Sequence, residues 1–89
     1  MAWRIELSPV AQKGLRALDP TVARRILKYL HERIAPMEDP RTLGEALKGS
    51  TLGDFWRYRV GDYRIICAIE DDRLCVLVLR IGNRREVYR

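Results

Sequence analysis

The chain has 89 residues, 47% of them apolar and 33% charged, enough for one modest core and too apolar for a disordered segment. Its net charge of +5 points toward polyanionic partners. No apolar run is long enough for a secretory leader or a membrane span, so a cytoplasmic protein without membrane contact is expected, organised as a single domain over residues 1–89.

Trp3, Ile5 and Leu7 alternate with Arg4 and Glu6, the period-two pattern of a half-buried first strand. Ser8-Pro9 then supplies a helix N-cap followed by proline at the first helical position, and Val10, Leu15 and Leu18 share one face of the helix that follows. Asp19-Pro20 repeats the device. In the second helix Val22, Ile26, Leu30 and Ile34 form an apolar stripe flanked by Leu27 and Tyr29. Pro36 ends it, and the segment from there to Asp54, rich in proline and glycine, predicts a connector with at most one turn of helix around Leu43 to Leu47.

Three strand-length runs follow, DFWRYRV, YRIICAIE and RLCVLVLRI, separated by Gly61-Asp62 and Asp71-Asp72, which predict two-residue hairpin links. A short last strand at REVYR is a further candidate. The order β-α-α-β-β-β makes this an α+β protein. Its predicted architecture is a mainly antiparallel sheet of three or four strands, with both helices on one face and the other face free to be polar. Cys67 and Cys75 lie in the apolar runs without CxxC spacing or companion histidines. That excludes a zinc site and predicts buried free thiols, a disulfide across the hairpin being the alternative.

From Asp54 onward every basic residue is an arginine, whose planar fork matches phosphate and carboxylate oxygens in pairs. Strand alternation puts Trp56, Tyr58 and Val60 toward the core and Arg57 and Arg59 together on the open face, about 7 Å apart. A two-residue link at Gly61-Asp62 sets Arg64 opposite Arg59 on that same face. Like charges so placed destabilise a sheet unless an anion lies among them. Either this is an anion site, or Asp54, Asp62 or Glu70 neutralises the cluster from its edges. The one histidine, His31, reads as a helix-surface residue. Phosphate-binding glycine loops, nucleophile elbows, metal-ligand clusters and helix-turn-helix signatures are absent from the sequence. No metal or cofactor is expected.

The ordered combination in EALKGSTLGDFWRYRVGDYRIICAIEDDRLCVLVLRIGNRREVYR resembles the RelE/ParE superfamily of type II toxins, and within it the RelE-like messenger-RNA interferases. It contains a leucine-lysine-glycine turn, an aromatic-arginine strand, a G-[DN]-YR hairpin and a terminal G-x-R-x-x-VY. The resemblance implies a metal-independent, ribosome-dependent endoribonuclease that cuts messenger RNA through the RNA's own 2′-hydroxyl. A co-expressed acidic antitoxin of RelB type would hold it inactive in a hetero-oligomer.

By position, the resemblance implies catalytic roles for Arg57 and Arg59 on the strand where relatives carry basic residues, often lysines. It implies phosphate stabilisation by Arg64, charge stabilisation at the leaving 5′-oxygen by Arg84, and activation of the 2′-hydroxyl by Tyr88. Arg85, Arg89 and Lys48 would bind RNA phosphates. Asn83 stands where many relatives have histidine. Two other readings are a ParE-like toxin acting on DNA gyrase and a noncatalytic RNA-binding module.

Overall fold

A computed structural model describes residues 2–47 and 55–83. Strand β1 (Arg4–Leu7) leads into helix α1 (Pro9–Arg16) and helix α2 (Pro20–Tyr29), which continues through one π turn (Leu30–Ile34). A short 3-10 turn (Pro40–Thr42) precedes the two-residue strand β2 (Glu45–Ala46). Strands β3 (Phe55–Val60), β4 (Tyr63–Glu70) and β5 (Cys75–Asn83) complete the described chain. They form a five-stranded sheet in the order β1-β5-β4-β3-β2, with β1 parallel to β5 and the other pairs antiparallel.

Both helices start on the predicted caps. The Ser8 hydroxyl accepts from the Ala11 N–H at 3.0 Å, and the Asp19 carboxylate accepts from the Thr21 N–H at 2.9 Å. Ser8 does a second job. Between Ile66 and Cys67 the β4–β5 register shifts, which leaves Leu79 of β5 without a partner in the ladder. The Ser8 hydroxyl donates to the Leu79 carbonyl at 2.9 Å and so ties the start of α1 to this bulge.

Along α2 and its π turn, Ile26, Leu30 and Ile34 are fully buried. Residues four apart drift by about 40° per step around an α-helix, and the wider π turn reduces that drift so that Ile34 still faces inward. These residues, with Ala11 of α1, form one core with Tyr58 and Val60 of β3, Ile65 and Cys67 of β4, and Val76, Val78 and Ile81 of β5. Both helices therefore lie on one face of the sheet. Cys67 and Cys75 are buried free thiols, and burial raises both of their pKa values.

The structure departs from expectation in four places. Val10 is 57% exposed, and the residue that α1 buries completely is Ala11, on the side of the helix packed against the sheet. The connector holds an extra edge strand, β2, which brings the sheet to five strands among the described residues, beyond the three or four expected. The Asp71-Asp72 link is longer than a two-residue turn: Asp71–Arg73 forms a 3-10 turn closed by Leu74 at φ 47°. Trp56 is half-buried rather than part of the core, and Arg41 lies 5.8 Å from its ring centroid. The candidate last strand REVYR falls outside the described residues.

The connector is anchored from both sides. Arg41 donates to both carboxylate oxygens of Asp71, at 3.1 and 2.6 Å, and the buried Tyr58 hydroxyl donates to the Pro40 carbonyl at 2.7 Å.

Gly14 marks the closest approach of α1 to the sheet, since a Cβ there would lie 2.7 Å from the Ile81 carbonyl oxygen. In an exposed helix Gly→Ala gains about 1 kcal/mol. Here the overlap with backbone is the larger effect, about 1–3 kcal/mol. Gly14→Ala is therefore expected to lower the thermal midpoint by several degrees, checked by calorimetry; an unchanged or raised midpoint would show that α1 can move away freely.

Candidate functional site

The β3–β4 register places Arg59 opposite Arg64 and Arg57 opposite Ile66, as the two-residue Gly61-Asp62 link predicts. Gly61 adopts φ 59°, the left-handed conformation such a turn requires. The alternation also holds: Tyr58 and Val60 are buried beneath the helices, while Arg57 and Arg59 turn to the opposite face.

The three arginines occupy different environments. Arg59 is exposed and Arg57 is half-buried, but Arg64 is only 5% exposed. Its position is central: β4 lies between β3 and β5, and the residue opposite Arg64 on β5 is Gly82, which projects no side chain. Among the described residues, the buried Nε of Arg64 has no hydrogen-bond acceptor. A desolvated guanidinium with donor capacity to spare, beside a second arginine in register, is suited to an anion with several oxygens.

Among the described residues, the carboxylate paired with this cluster is Glu45, which is not one of those expected. Glu45 of β2 pairs in register with Arg57, and its carboxylate accepts a hydrogen bond from the Arg57 guanidinium. That hydrogen bond, then the Arg57 charge, then the charges of Arg59 and Arg64, hold the Glu45 carboxyl below its ordinary range. Glu45 thus sits where an anion would be drawn. Glu70 is engaged instead by Arg73 at 2.8 Å, at the other end of β4, and Asp54 lies outside the described residues. Only the pairing of Glu45 with Arg57 reveals its place, and a two-residue strand leaves no period to read in sequence.

Lys48, Arg84, Arg85, Tyr88 and Arg89 lie outside the described residues. His31 is exposed on the π turn. No described helix is long and apolar enough to cross a membrane.

Comparison with known proteins agrees with this architecture. Residues 5–88 match the family described as ParE toxin of type II toxin-antitoxin system, parDE. Among curated proteins, the chain is 30% identical to the mRNA interferase toxin RelE of Escherichia coli, over 99% of this chain and 92% of that one. It is 25% identical to Toxin RelG of Mycobacterium tuberculosis, over 100% and 99%. A chain of the toxin-antitoxin complex RelBE2 from Mycobacterium tuberculosis superposes with a TM-score of 0.83 at 21% identity, covering 97% of this chain and 95% of that one. For the intact Escherichia coli RelBE toxin-antitoxin complex the TM-score is 0.73 at 26% identity, with 92% and 96% covered.

Because its folded-state pKa is depressed, ionised Glu45 contributes stabilisation that is in force above its ordinary pKa and is lost as pH falls through the lower folded value. A carboxyl-detected NMR titration is expected to place the Glu45 midpoint below that of an ordinary glutamate, and Arg57→Gln to move it upward. A midpoint insensitive to Arg57→Gln would remove Glu45 from the cluster.

Proposed function

The chain belongs to the RelE/ParE superfamily of type II toxins and is a RelE-family toxin of a toxin-antitoxin system, and from that premise we propose that it is a metal-independent, ribosome-dependent endoribonuclease acting on messenger RNA. The observation that carries the reading is the gathering of Arg57, Arg59 and the buried Arg64 on one face. The name and identity of the Escherichia coli mRNA interferase support it.

The reaction follows from what such a face can do. The 2′-oxygen of one nucleotide attacks the adjacent phosphorus, the bond to the 5′-oxygen of the next nucleotide breaks, and a 2′,3′-cyclic phosphate and a 5′-hydroxyl result. One proton leaves the 2′-hydroxyl and one reaches the departing oxygen. Negative charge grows on the phosphoryl oxygens on the way, and fixed guanidiniums aimed at them stabilise the transition state more than the ground state. Arg64 is suited to this role because burial removes competing water and holds the group in place. Arg57 and Arg59 supply further positive charge, and Glu45 is the anion that an entering phosphate would displace. Arginine is a poor proton donor. We therefore assign activation of the 2′-hydroxyl to Tyr88, charge stabilisation at the leaving oxygen to Arg84, and RNA phosphate contacts to Arg85, Arg89 and Lys48. The proposed inhibitor is a RelB-like acidic antitoxin, supported by the toxin-antitoxin complexes among the similar structures and by the basic face it would neutralise.

The match to the ParE family favours one other reading, a toxin directed at DNA gyrase on the same fold. Primer extension on translating ribosomes separates the two. The wild type is expected to cut within the decoding site, and Arg64→Ala to slow cleavage on the order of 100-fold, with Arg84→Ala and Tyr88→Phe also impaired. Intact messenger RNA together with gyrase-dependent DNA breaks would establish the other target. Equal cleavage of free RNA would remove the ribosome requirement.

A further inference from the structure

Between the C-terminal half of α2, its π turn and the tip of β3 lies a cleft of about 400 Å³ that the proposed reaction leaves unused. Its lining includes Arg25, Lys28, Tyr29, Arg33, Arg59 and Val60. Glu32 is the one carboxylate among the described lining residues, against four cationic side chains. None of those four makes an ion pair among the described residues, whereas Arg4, Arg41, Arg57 and Arg73 each engage a carboxylate. The cleft therefore carries an excess of positive charge that no ion pair among the described residues neutralises.

Its floor is apolar and held in place. Val60 is buried, and the half-buried Tyr29 ring packs edge-on against Tyr58 with centroids 6.4 Å apart. One wall is equally fixed: the Arg25 guanidinium lies over the hairpin turn, close enough that a Cβ on Gly61 would sit 3.4 Å from its Nη1. Arg59 belongs to two places at once: it lines this cleft at the tip of β3, and it stands opposite Arg64 in the arginine cluster on the other face of the sheet, so the two sites share one residue.

We infer that this cleft is a nucleotide subsite for single-stranded RNA, holding a phosphate on Arg25, Lys28 and Arg33 and a base against Tyr29, with the strand crossing Arg59 into the arginine cluster. The inference rests on the endoribonuclease reading only in taking the strand to be RNA. Charge complementarity selects a polyanion. The aromatic floor selects nucleic acid over an acidic peptide, since every base has a face that stacks on such a ring. Placed beside the cluster, the subsite would hold a nucleotide neighbouring the cut and fix the strand's register.

The test uses fluorescence anisotropy with a labelled, 2′-O-methylated RNA hexanucleotide that cannot be cleaved, titrated at several salt concentrations. The doubly reversed variant Lys28→Glu/Arg33→Glu is expected to bind about 10-fold more weakly or worse, with the salt slope reduced by about one for each phosphate no longer neutralised. Tyr29→Leu is expected to weaken binding about 10-fold by removing the stacking surface. Arg24→Glu, a charge reversal at an exposed α2 position outside the lining residues, serves as control and is expected to change affinity by less than about 2-fold. Thermal melts establish that each variant is folded.

Unchanged affinity in the folded double reversal, or an equal loss with Arg24→Glu, overturns the subsite. So does a double reversal that stops binding a glutamate dodecamer while keeping the RNA, which would make the cleft an acidic-peptide dock. Wild-type protein that cuts no messenger RNA on ribosomes but shows these hexanucleotide effects loses the endoribonuclease reading and keeps the subsite.

Discussion

The register of β3, β4 and β5 is the constraint from which the candidate site follows. Successive residues of a strand face opposite sides, so a slip of one residue between β3 and β4 would send Arg64 into the core and Ile65 out of it. Two features fix the register. At one end, Gly61 accepts a positive φ and lets the chain reverse in two residues. At the other, apolar side chains at Tyr58, Ile65, Cys67 and Val78 must all point beneath the helices to be buried. The bulge at Leu79 would leave a frayed ladder, and Ser8 repairs it by donating to the freed carbonyl. The core thus dictates, through strand alternation alone, which arginines share the opposite face.

The edge of the sheet is built differently. Strand β2 has only two residues, too few to hold itself, and its position depends on the connector before it. Arg41 clamps that connector to Asp71 and covers Trp56, while the Tyr58 hydroxyl holds Pro40 from inside. Exposed ion pairs contribute little one at a time. The buried Tyr58 hydrogen bond is worth more, because losing its partner would leave a desolvated hydroxyl. Through these contacts a core tyrosine on β3 helps to set where Glu45 meets Arg57, so packing on one face of the strand shapes electrostatics on the other.

Much of this was legible in the sequence because it follows from period and punctuation. Ser8-Pro9 and Asp19-Pro20 announce both helix starts, and the α2 stripe names Ile26, Leu30 and Ile34 as core. Gly61-Asp62 fixes the facing of Arg57, Arg59 and Arg64. What escaped was set by tertiary contact. Nothing local shows that α1 comes close enough to β5 to favour Ala11 and Gly14 over Val10 as its contact points. Asp71-Asp72 looks like a tight turn because the residue that adopts the left-handed conformation is Leu74, not glycine or asparagine. Glu45 lay hidden in a strand too short to carry a pattern. The burial of Arg64 depends on its place in a central strand opposite Gly82, a pairing distant in sequence.

Arg64 also shows why the arrangement suits a protein whose activity is held in check. A buried guanidinium beside another arginine costs stability in the free protein, through lost hydration and like-charge repulsion. Nearby Glu45 offsets part of that cost, but as an exposed side chain screened by water it does so weakly. Any polyanion that binds the folded state and fills the cluster recovers more of it, and stabilises the fold in proportion to its affinity and concentration. On the proposed reading two polyanions compete for that gain, the phosphates of an RNA strand and the carboxylates of an antitoxin. On that reading the same crowded cations that would draw charge to a scissile phosphate would also favour an acidic antitoxin chain, so potency toward RNA and susceptibility to inhibition would have one electrostatic origin.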